Sequence, residues 1–232
     1  MKKTLNDIAS DTSSIFKTKW ERRKGKIVPD SESVRLGNDA IEIEAAVLYA
    51  DLASSTALVS GYKDYFAAEI IKSFLLASCS VIRNNEGEIV SFDGDRVMAI
   101  FIGDRKCTNA AKSGLQISSA INEINTCLKE TYTKTNYVVD YAVGIDVSDL
   151  FIIRTGIRGS NDLSWIGEAA NTAAKLSQVR GRSEKVFITS SVYSRMADSS
   201  KYGGKENLCM WKDINLSVSG NKVYASDWYW KF

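Results

Sequence analysis

Two aspartates stand where neighbouring strands are expected to end. Asp51 follows the apolar run 45–50, and Asp95 closes the acidic turn 91–95, Ser-Phe-Asp-Gly-Asp. Carboxylates at adjacent strand ends can hold divalent cations. Two such ions, about 3.5–4 Å apart, stabilise both the attacking and the leaving oxygen of an in-line phosphoryl displacement. The pair therefore predicts nucleotide chemistry with two divalent cations per site, Mn²⁺ or Mg²⁺.

A run of small residues follows the first aspartate. Ala53, Ser54, Ser55 and Thr56 lead into a predicted helix. Backbone N–H groups at the start of a helix suit a polyphosphate, so we expect these four residues to bind phosphate. Taken singly, the run also fits a helix cap, and the acidic turn fits an ordinary connection between two strands.

A third set of residues lies on a helix expected over 168–179. Asn171 and Lys175 are spaced i and i+4, so they share a helix face and present an amide and a cation to one place. The alternative interpretation is an ordinary surface pair on an alanine-rich helix.

The composition limits the chemistry, because the 232-residue chain contains no histidine. Ser-His and Cys-His nucleophilic machinery is excluded, and catalysis must rest on carboxylates, Lys or Arg, amides and bound metal. The general base stays open between Asp51 and a metal-bound water. The four cysteines lie far apart with no Cys-x-x-Cys spacing, which favours reduced side chains over disulfides or zinc ligands.

The first residues form a distinct basic segment. Residues 1–26 carry eight Lys or Arg against three Asp or Glu, with apolar residues at helical spacing. We expect an amphipathic helix ending near Gly25, and we divide the chain into an N-terminal helical extension, 1–40, and a catalytic domain, 41–232. The start lacks a secretory signal and no run resembles a membrane span, so we expect a cytoplasmic protein without a membrane or nucleic-acid partner.

From residue 41 onward the patterns alternate between strand and helix. They predict strand 42–50, helix 62–84, strands 88–92 and 96–102, helix 107–130 and strand 137–147, followed by a ribbon over 150–158, the helix 168–179 and short closing elements. The β-α-β-β-α-β order favours an α+β fold with a ferredoxin-like antiparallel sheet and helices on one face. Asp51 and the turn 91–95 then meet at one end of adjacent strands.

Four segments, in this order, carry a family resemblance: 49–56, 92–101, 143–146 and 166–176. Together they resemble the class III nucleotide cyclases, and most of all the pyrimidine (uridylate and cytidylate) cyclases of the bacterial Pycsar anti-phage system. The resemblance covers roughly residues 41–180. It implies the βαββαβ palm of the class III catalytic domain and a head-to-tail homodimer with two composite active sites.

The resemblance also implies a role for each matching residue. Asp51 and Asp95 are the metal ligands, with the carbonyl of Leu52 as a third. Asn171 orients the ribose, and Lys175 stands where purine cyclases usually place an arginine against the triphosphate. Lysine offers a mobile point charge where arginine offers a rigid fork, so we expect activity to survive with less sharp positioning.

Substrate choice depends on three positions. Ser91 and Ser164 replace the lysine and the aspartate by which adenylate cyclases resemble one another, and Ser91 also differs from the glutamate typical of guanylate cyclases. Tyr49 is phenylalanine in most relatives, and its hydroxyl can bond a pyrimidine edge. A tyrosine in the core is the alternative.

The expected reaction is cyclisation of a pyrimidine nucleoside triphosphate, with UTP favoured over CTP as the substrate, to the 3′,5′-cyclic monophosphate and pyrophosphate. The resemblance implies that the product serves as a second messenger in anti-phage defence and is read by a separate cyclic-nucleotide-sensing effector. A purine cyclase, a diguanylate-type cyclase and an inactive nucleotide-binding module remain alternatives. The diguanylate type is the weakest of these, because nothing in that family accounts for the Asn171 helix.

Overall fold

The computed structural model of the chain describes residues 3–231, so residues 1 and 2 of the expected N-terminal extension lie outside the described part. The α-helices are α1 (Leu5–Lys17), α2 (Ser55–Gly61), α3 (Asp64–Asn84), α4 (Lys106–Thr131), α5 (Glu168–Leu176) and α6 (Ser190–Arg195). The strands are β1 (Glu21–Lys24), β2 (Asp39–Leu52), β3 (Glu88–Asp93), β4 (Arg96–Phe101), β5 (Tyr141–Ile157), β6 (Ser160–Ile166), β7 (Val186–Thr189), β8 (Tyr202–Gly203), β9 (Leu208–Cys209), β10 (Lys212–Val218) and β11 (Asn221–Ser226).

Two compact units share the chain. The small unit comprises residues 1–43 and 149–167, and the large unit comprises residues 44–148 and 168–232. The sequence analysis placed the ribbon after residue 150 in the catalytic domain. By its contacts this ribbon, the end of β5 paired with β6, groups with the N-terminal residues in the small unit. The division into an extension and a catalytic domain stays a prediction.

The main sheet has the strand order β10-β11-β7-β5-β2-β4-β3. Its β5-β2-β4-β3 part is the ferredoxin-like arrangement expected from the β-α-β-β-α-β order, with β4 antiparallel to both β2 and β3. The tight turn between β3 and β4 holds Gly94 at φ +62°, a left-handed conformation that glycine adopts without strain. This turn fixes the register that places Asp95 beside the end of β2.

One face of this sheet carries the main core of the large unit. Alternate β2 residues, among them Leu48 and Leu52, pack with apolar residues of α3 and α4 such as Phe74 and Leu115. Each of these four side chains is almost fully buried. Because successive strand residues point to opposite faces, the intervening residues Tyr49 and Asp51 point to the other face.

Helix α5 lies on that other face, whereas the sequence analysis expected the helices on one face only. Leu176 of α5 packs with Ala142 of β5 and Phe187 of β7 in a second, smaller cluster. Gly144 makes this approach possible, since a Cβ there would lie 2.2 Å from the carbonyl oxygen of Ala173 and 2.5 Å from the amide of Ser177. The α5 backbone therefore rests directly on β5.

The N-terminal helix is shorter than expected. Helix α1 begins with a capping box at Thr4 and ends at Lys17, so the expectation of a helix reaching Gly25 is wrong. Residues 21–24 instead form β1, parallel to the start of β2. Charge pairing explains the change, because Arg22 on β1 bonds Glu42 on β2, with its Nε 2.6 Å from the carboxylate. The basic segment is thus partly neutralised within the small unit.

Helix α3 is the one described helix long and apolar enough, by length and composition, to cross a bilayer. Its apolar residues Phe66, Ile70 and Phe74 belong to the core, so the same composition is explained by packing. All four cysteines are free.

Replacing Gly144 by alanine is expected to displace α5, because the added methyl group meets backbone atoms that cannot rotate away. We expect Gly144→Ala to lower the free energy of unfolding by about 1–3 kcal/mol, as overpacking usually does. Denaturant midpoints would measure this. Gly61→Ala is the matched control, since a Cβ there meets nothing within 4 Å. Equal midpoints for the two variants would contradict the packing described.

Candidate active site

The two predicted metal aspartates meet at one corner of the sheet. Asp51 near the end of β2 lies opposite Arg96 of β4, and Arg96 lies opposite Asp93 of β3. Asp95 sits in the turn immediately before Arg96. Burial raises the pKa of the Asp51 carboxyl, an ion pair with Arg180 opposes that rise, and the charge of Asp95 adds to it. The two carboxylates therefore interact electrostatically, as a shared site requires.

The residues at this corner fit divalent cations. The Oδ2 atom of Asp95 is buried and has no hydrogen-bond partner among the described residues. A buried carboxylate oxygen without a partner is costly, and a bound cation removes that cost. In residues 3–231 no group of three or more His, Cys, Asp or Glu side chains is placed so that it could hold a metal ion. The expected third ligand, the carbonyl of Leu52, adjoins Asp51 in sequence.

The turn after Asp51 has an unusual backbone. Ser54 adopts φ +59°, ψ +31°, the left-handed conformation that non-glycine residues rarely take, and directly precedes α2. A left-handed residue next to a helical one aligns successive N–H groups into a concavity that suits anions. The expected phosphate residues are not all equivalent, because the Ala53 N–H donates to the carbonyl of Asp140 at 2.8 Å. The amide of Ala53 is therefore engaged within the fold.

A small cleft of about 310 Å³ includes Arg96 in its lining, and Arg96 follows Asp95 in sequence and lies opposite Asp51. Ser91, Met98 and Tyr49 lie side by side across β3, β4 and β2, and the structure thus brings Tyr49 and Ser91 together as expected. Burial raises the pKa of the Tyr49 hydroxyl, so this group keeps its proton and can donate a hydrogen bond.

Arg96 also lines this cleft, and the sequence analysis did not identify it. Its guanidinium lies 5.3 Å from the centre of the Tyr49 ring and donates to Asp93 at 2.7 Å. Its Nε is buried and has no hydrogen-bond partner among the described residues. Its position in the sequence could have identified it. Arg96 directly follows Asp95, and the β3–β4 hairpin places it opposite Asp51.

Ser164, the third expected base-reading residue, belongs to the small unit. It lies on β6, where its hydroxyl is 2.9 Å from the hydroxyl of Thr155 on β5. The structure therefore places it in a different unit from Tyr49 and Ser91.

Asn171 and Lys175 lie on α5 as expected, and both are exposed. In residues 3–231 neither side chain has a hydrogen bond or ion pair. The helix itself is held firmly, because the Ala169 N–H donates to the hydroxyl of Ser148 and the Thr172 hydroxyl donates to that of Ser219. The amide and the cation are thus presented outward from a fixed helix.

Arg180 is a second residue that the sequence analysis missed. It follows α5 and donates from Nη2 to Oδ2 of Asp51 at 2.6 Å. Sequence separation hid this contact, because the two residues are 129 positions apart.

The fold matches that of solved nucleotide cyclases. It aligns with the structure of a bacterial light-regulated adenylyl cyclase at a TM-score of 0.68 and 17% identity, over 80% of this chain and 91% of that one. No protein-family model matches the chain. The architecture is that of a class III nucleotide cyclase catalytic domain, as the sequence resemblance implied.

Two curated relatives specify the family within this class. A uridylate cyclase of Xanthomonas perforans is 43% identical over 220 residues, covering 94% of each chain. A uridylate cyclase of Burkholderia cepacia is 41% identical over 227 residues, covering 97% of each chain. The chain belongs to the uridylate cyclase family of nucleotide cyclases.

The left-handed conformation of Ser54 can be tested through its effect on stability. Ser54→Gly should leave the free energy of unfolding unchanged or slightly higher, because glycine adopts the left-handed conformation freely. Ser54→Val should lower it by about 1–2 kcal/mol, because a β-branched residue resists that conformation. Denaturant unfolding measures both, with the exposed α2 residue Ser60→Val as control. A valine tolerated equally at positions 54 and 60 would rule out the strained turn.

Proposed function

We propose that the chain converts UTP to 3′,5′-cyclic UMP and pyrophosphate. The observation that carries this proposal is the cleft of Tyr49, Ser91 and Arg96 beside the Asp51–Asp95 pair, in a chain of the uridylate cyclase family. The ribose 3′-oxygen attacks the α-phosphorus, the bond from that phosphorus to the bridging oxygen breaks, and pyrophosphate leaves. The 3′-hydroxyl proton passes to Asp51 or to water.

The carboxylate pair supplies the metal site in this proposal. Asp51, Asp95 and the carbonyl of Leu52 would hold two divalent cations, Mn²⁺ or Mg²⁺. When bound, the cations lower the pKa of the 3′-hydroxyl and neutralise charge on the phosphates. The amides of Ser54, Ser55 and Thr56 receive phosphate oxygens, with the Ser54 conformation turning these amides towards the anion.

Helix α5 contributes the residues that contact the ribose and the transferring phosphate. Asn171 orients the ribose and Lys175 neutralises charge on the transferring phosphate. Their exposed, unpaired side chains support a role towards a second molecule, since groups held ready for a ligand have no partner inside the fold. The active form is a head-to-tail homodimer in which each composite site takes its aspartates from one subunit and its α5 from the other.

Base selection depends on the cleft. Uracil offers two carbonyl acceptors and one N–H donor on its edge. Ser91 and Ser164 are uncharged, so they cannot make the contacts by which charged side chains recognise adenine. The Tyr49 hydroxyl donates to a uracil carbonyl, and the Ser91 hydroxyl can donate or accept a hydrogen bond. Arg96 supplies a rigid donor, because its Nε has no hydrogen-bond partner in the described structure. Arg96 holds the Tyr49 ring in place by stacking on it.

The biological setting follows from the resemblance to the Pycsar cyclases. We propose that cyclic UMP acts in the cytoplasm as a second messenger of anti-phage defence and is read by a separate effector with a cyclic-nucleotide sensor. The family membership of the chain supports this setting.

The test is to incubate the purified chain separately with UTP, CTP, ATP and GTP, with Mn²⁺ or Mg²⁺, and to identify products by mass. We expect cyclic UMP, and a loss of at least about a thousandfold in rate for Asp51→Asn, because electrostatic stabilisation of the transferring group is lost. Asp64→Asn, an exposed carboxylate at the start of α3, is the control and should keep the wild-type rate. A cyclic purine monophosphate as the main product would show that the cleft does not select pyrimidines.

A further inference from the structure

Arg180 links the first metal-ligand candidate to the end of α5. Its Nη2 donates to Oδ2 of Asp51 at 2.6 Å, and its Nη1 donates to the carbonyls of Ser177 at 2.7 Å and Val179 at 3.0 Å. The Asp51 side chain is only 14% exposed, whereas that of Arg180 is 34% exposed. A partly solvated guanidinium thus occupies one of the two carboxylate oxygens of a candidate metal ligand.

The charges around Asp51 make metal binding without nucleotide unfavourable. Arg180 pairs with Asp51, and Arg96 lies opposite it across the β2–β4 pair. Asp95 is therefore the one carboxylate of the pair without a cationic partner in the described structure. Affinity for a hard divalent cation rises with the count of free anionic ligands, and here one of the two is already neutralised.

A nucleoside triphosphate changes this balance. Its phosphates bring several negative charges, and planar guanidinium groups bind phosphate with two parallel hydrogen bonds. A cation held by Asp51 would neutralise the carboxylate, which would leave the phosphates as the stronger anion near Arg180. Only the exposed guanidinium has to move, because Ser177 and Val179 lie on the segment that carries Arg180.

We propose that Arg180 pairs with Asp51 when no nucleotide is bound and transfers its guanidinium to the triphosphate when the metal–nucleotide complex binds. Metal and triphosphate then bind cooperatively, and the site does not fill with free cation. This inference rests on the proposed nucleotide cyclase site, and it adds a phosphate-binding residue supplied by the same subunit as the aspartates.

The competing interpretation is that Arg180 only orients Asp51. Outer-shell partners of metal ligands commonly do so, and removing one typically weakens metal binding about 10–100-fold. The two interpretations predict opposite signs for the affinity of free Mn²⁺. If Arg180 moves from Asp51 to the triphosphate, removing its guanidinium tightens Mn²⁺ binding. If Arg180 only orients Asp51, removing its guanidinium weakens Mn²⁺ binding.

The experiment measures Mn²⁺ binding to the full chain without nucleotide, by the electron paramagnetic resonance signal of unbound Mn²⁺. We expect Arg180→Gln to bind Mn²⁺ about threefold to tenfold more tightly than wild type, because a neighbouring positive charge is gone. Inorganic tripolyphosphate, added with Mn²⁺, should bind about tenfold more weakly. Arg182→Gln is the matched control, since Arg182 lies two positions away and pairs with Glu184 instead.

A second variant separates charge from shape and guards against a folding defect. Arg180→Lys keeps the charge, so it should bind free Mn²⁺ as wild type does while still losing tripolyphosphate affinity, because lysine lacks the planar fork. Unchanged or weaker Mn²⁺ binding in a folded Arg180→Gln protein would overturn the proposal. No nucleoside is used, so absence of cyclic UMP would refute the proposed function without affecting this result.

Discussion

The arrangement depends on two carboxylates kept close together at the ends of neighbouring strands. Like charges repel, so the fold has to hold Asp51 and Asp95 in place against that repulsion: β2 supplies Asp51 from a buried strand, and the β3–β4 turn supplies Asp95 with one oxygen buried and unpaired. The surrounding cations, Arg96 and Arg180, offset this repulsion. In our proposal Arg180 later binds the phosphates, so a charge that stabilises the carboxylate pair also prepares the site for a nucleotide.

The sheet separates structural from chemical residues by strand alternation. The face packed on α3 and α4 holds the core, and the opposite face presents Tyr49 and Asp51. Helix α5 reaches that second face only because Gly144 has no side chain, which brings its backbone onto β5. Asn171 and Lys175 then point away from the unit that carries them. A helix fixed so firmly, with its functional residues unpaired, suits a site completed by another subunit.

Much of the fold and of the candidate site could be predicted from the sequence, because the relevant patterns are local. The apolar run 45–50 placed Asp51 near the end of β2, the Asp-Gly-Asp turn placed Asp95, and helical spacing put Asn171 and Lys175 on one face of α5. The missed features are nonlocal. Arg180 bonds Asp51 although the two residues are 129 positions apart. Strand β1 replaces the end of the expected N-terminal helix because Arg22 bonds Glu42 on β2. The Ala53 amide is engaged by Asp140, a partner that no local pattern indicates.

The central claim is that Asp51 and Asp95 of one subunit act with Asn171 and Lys175 of another. Mixing two inactive variants tests it most directly: Asp51→Ala and Lys175→Ala subunits are combined, and cyclic UMP formation is measured. Random pairing of subunits gives heterodimers with one intact site, so the mixture should regain about a quarter of the wild-type rate. A mixture no more active than the average of its two parents would contradict a site shared between subunits.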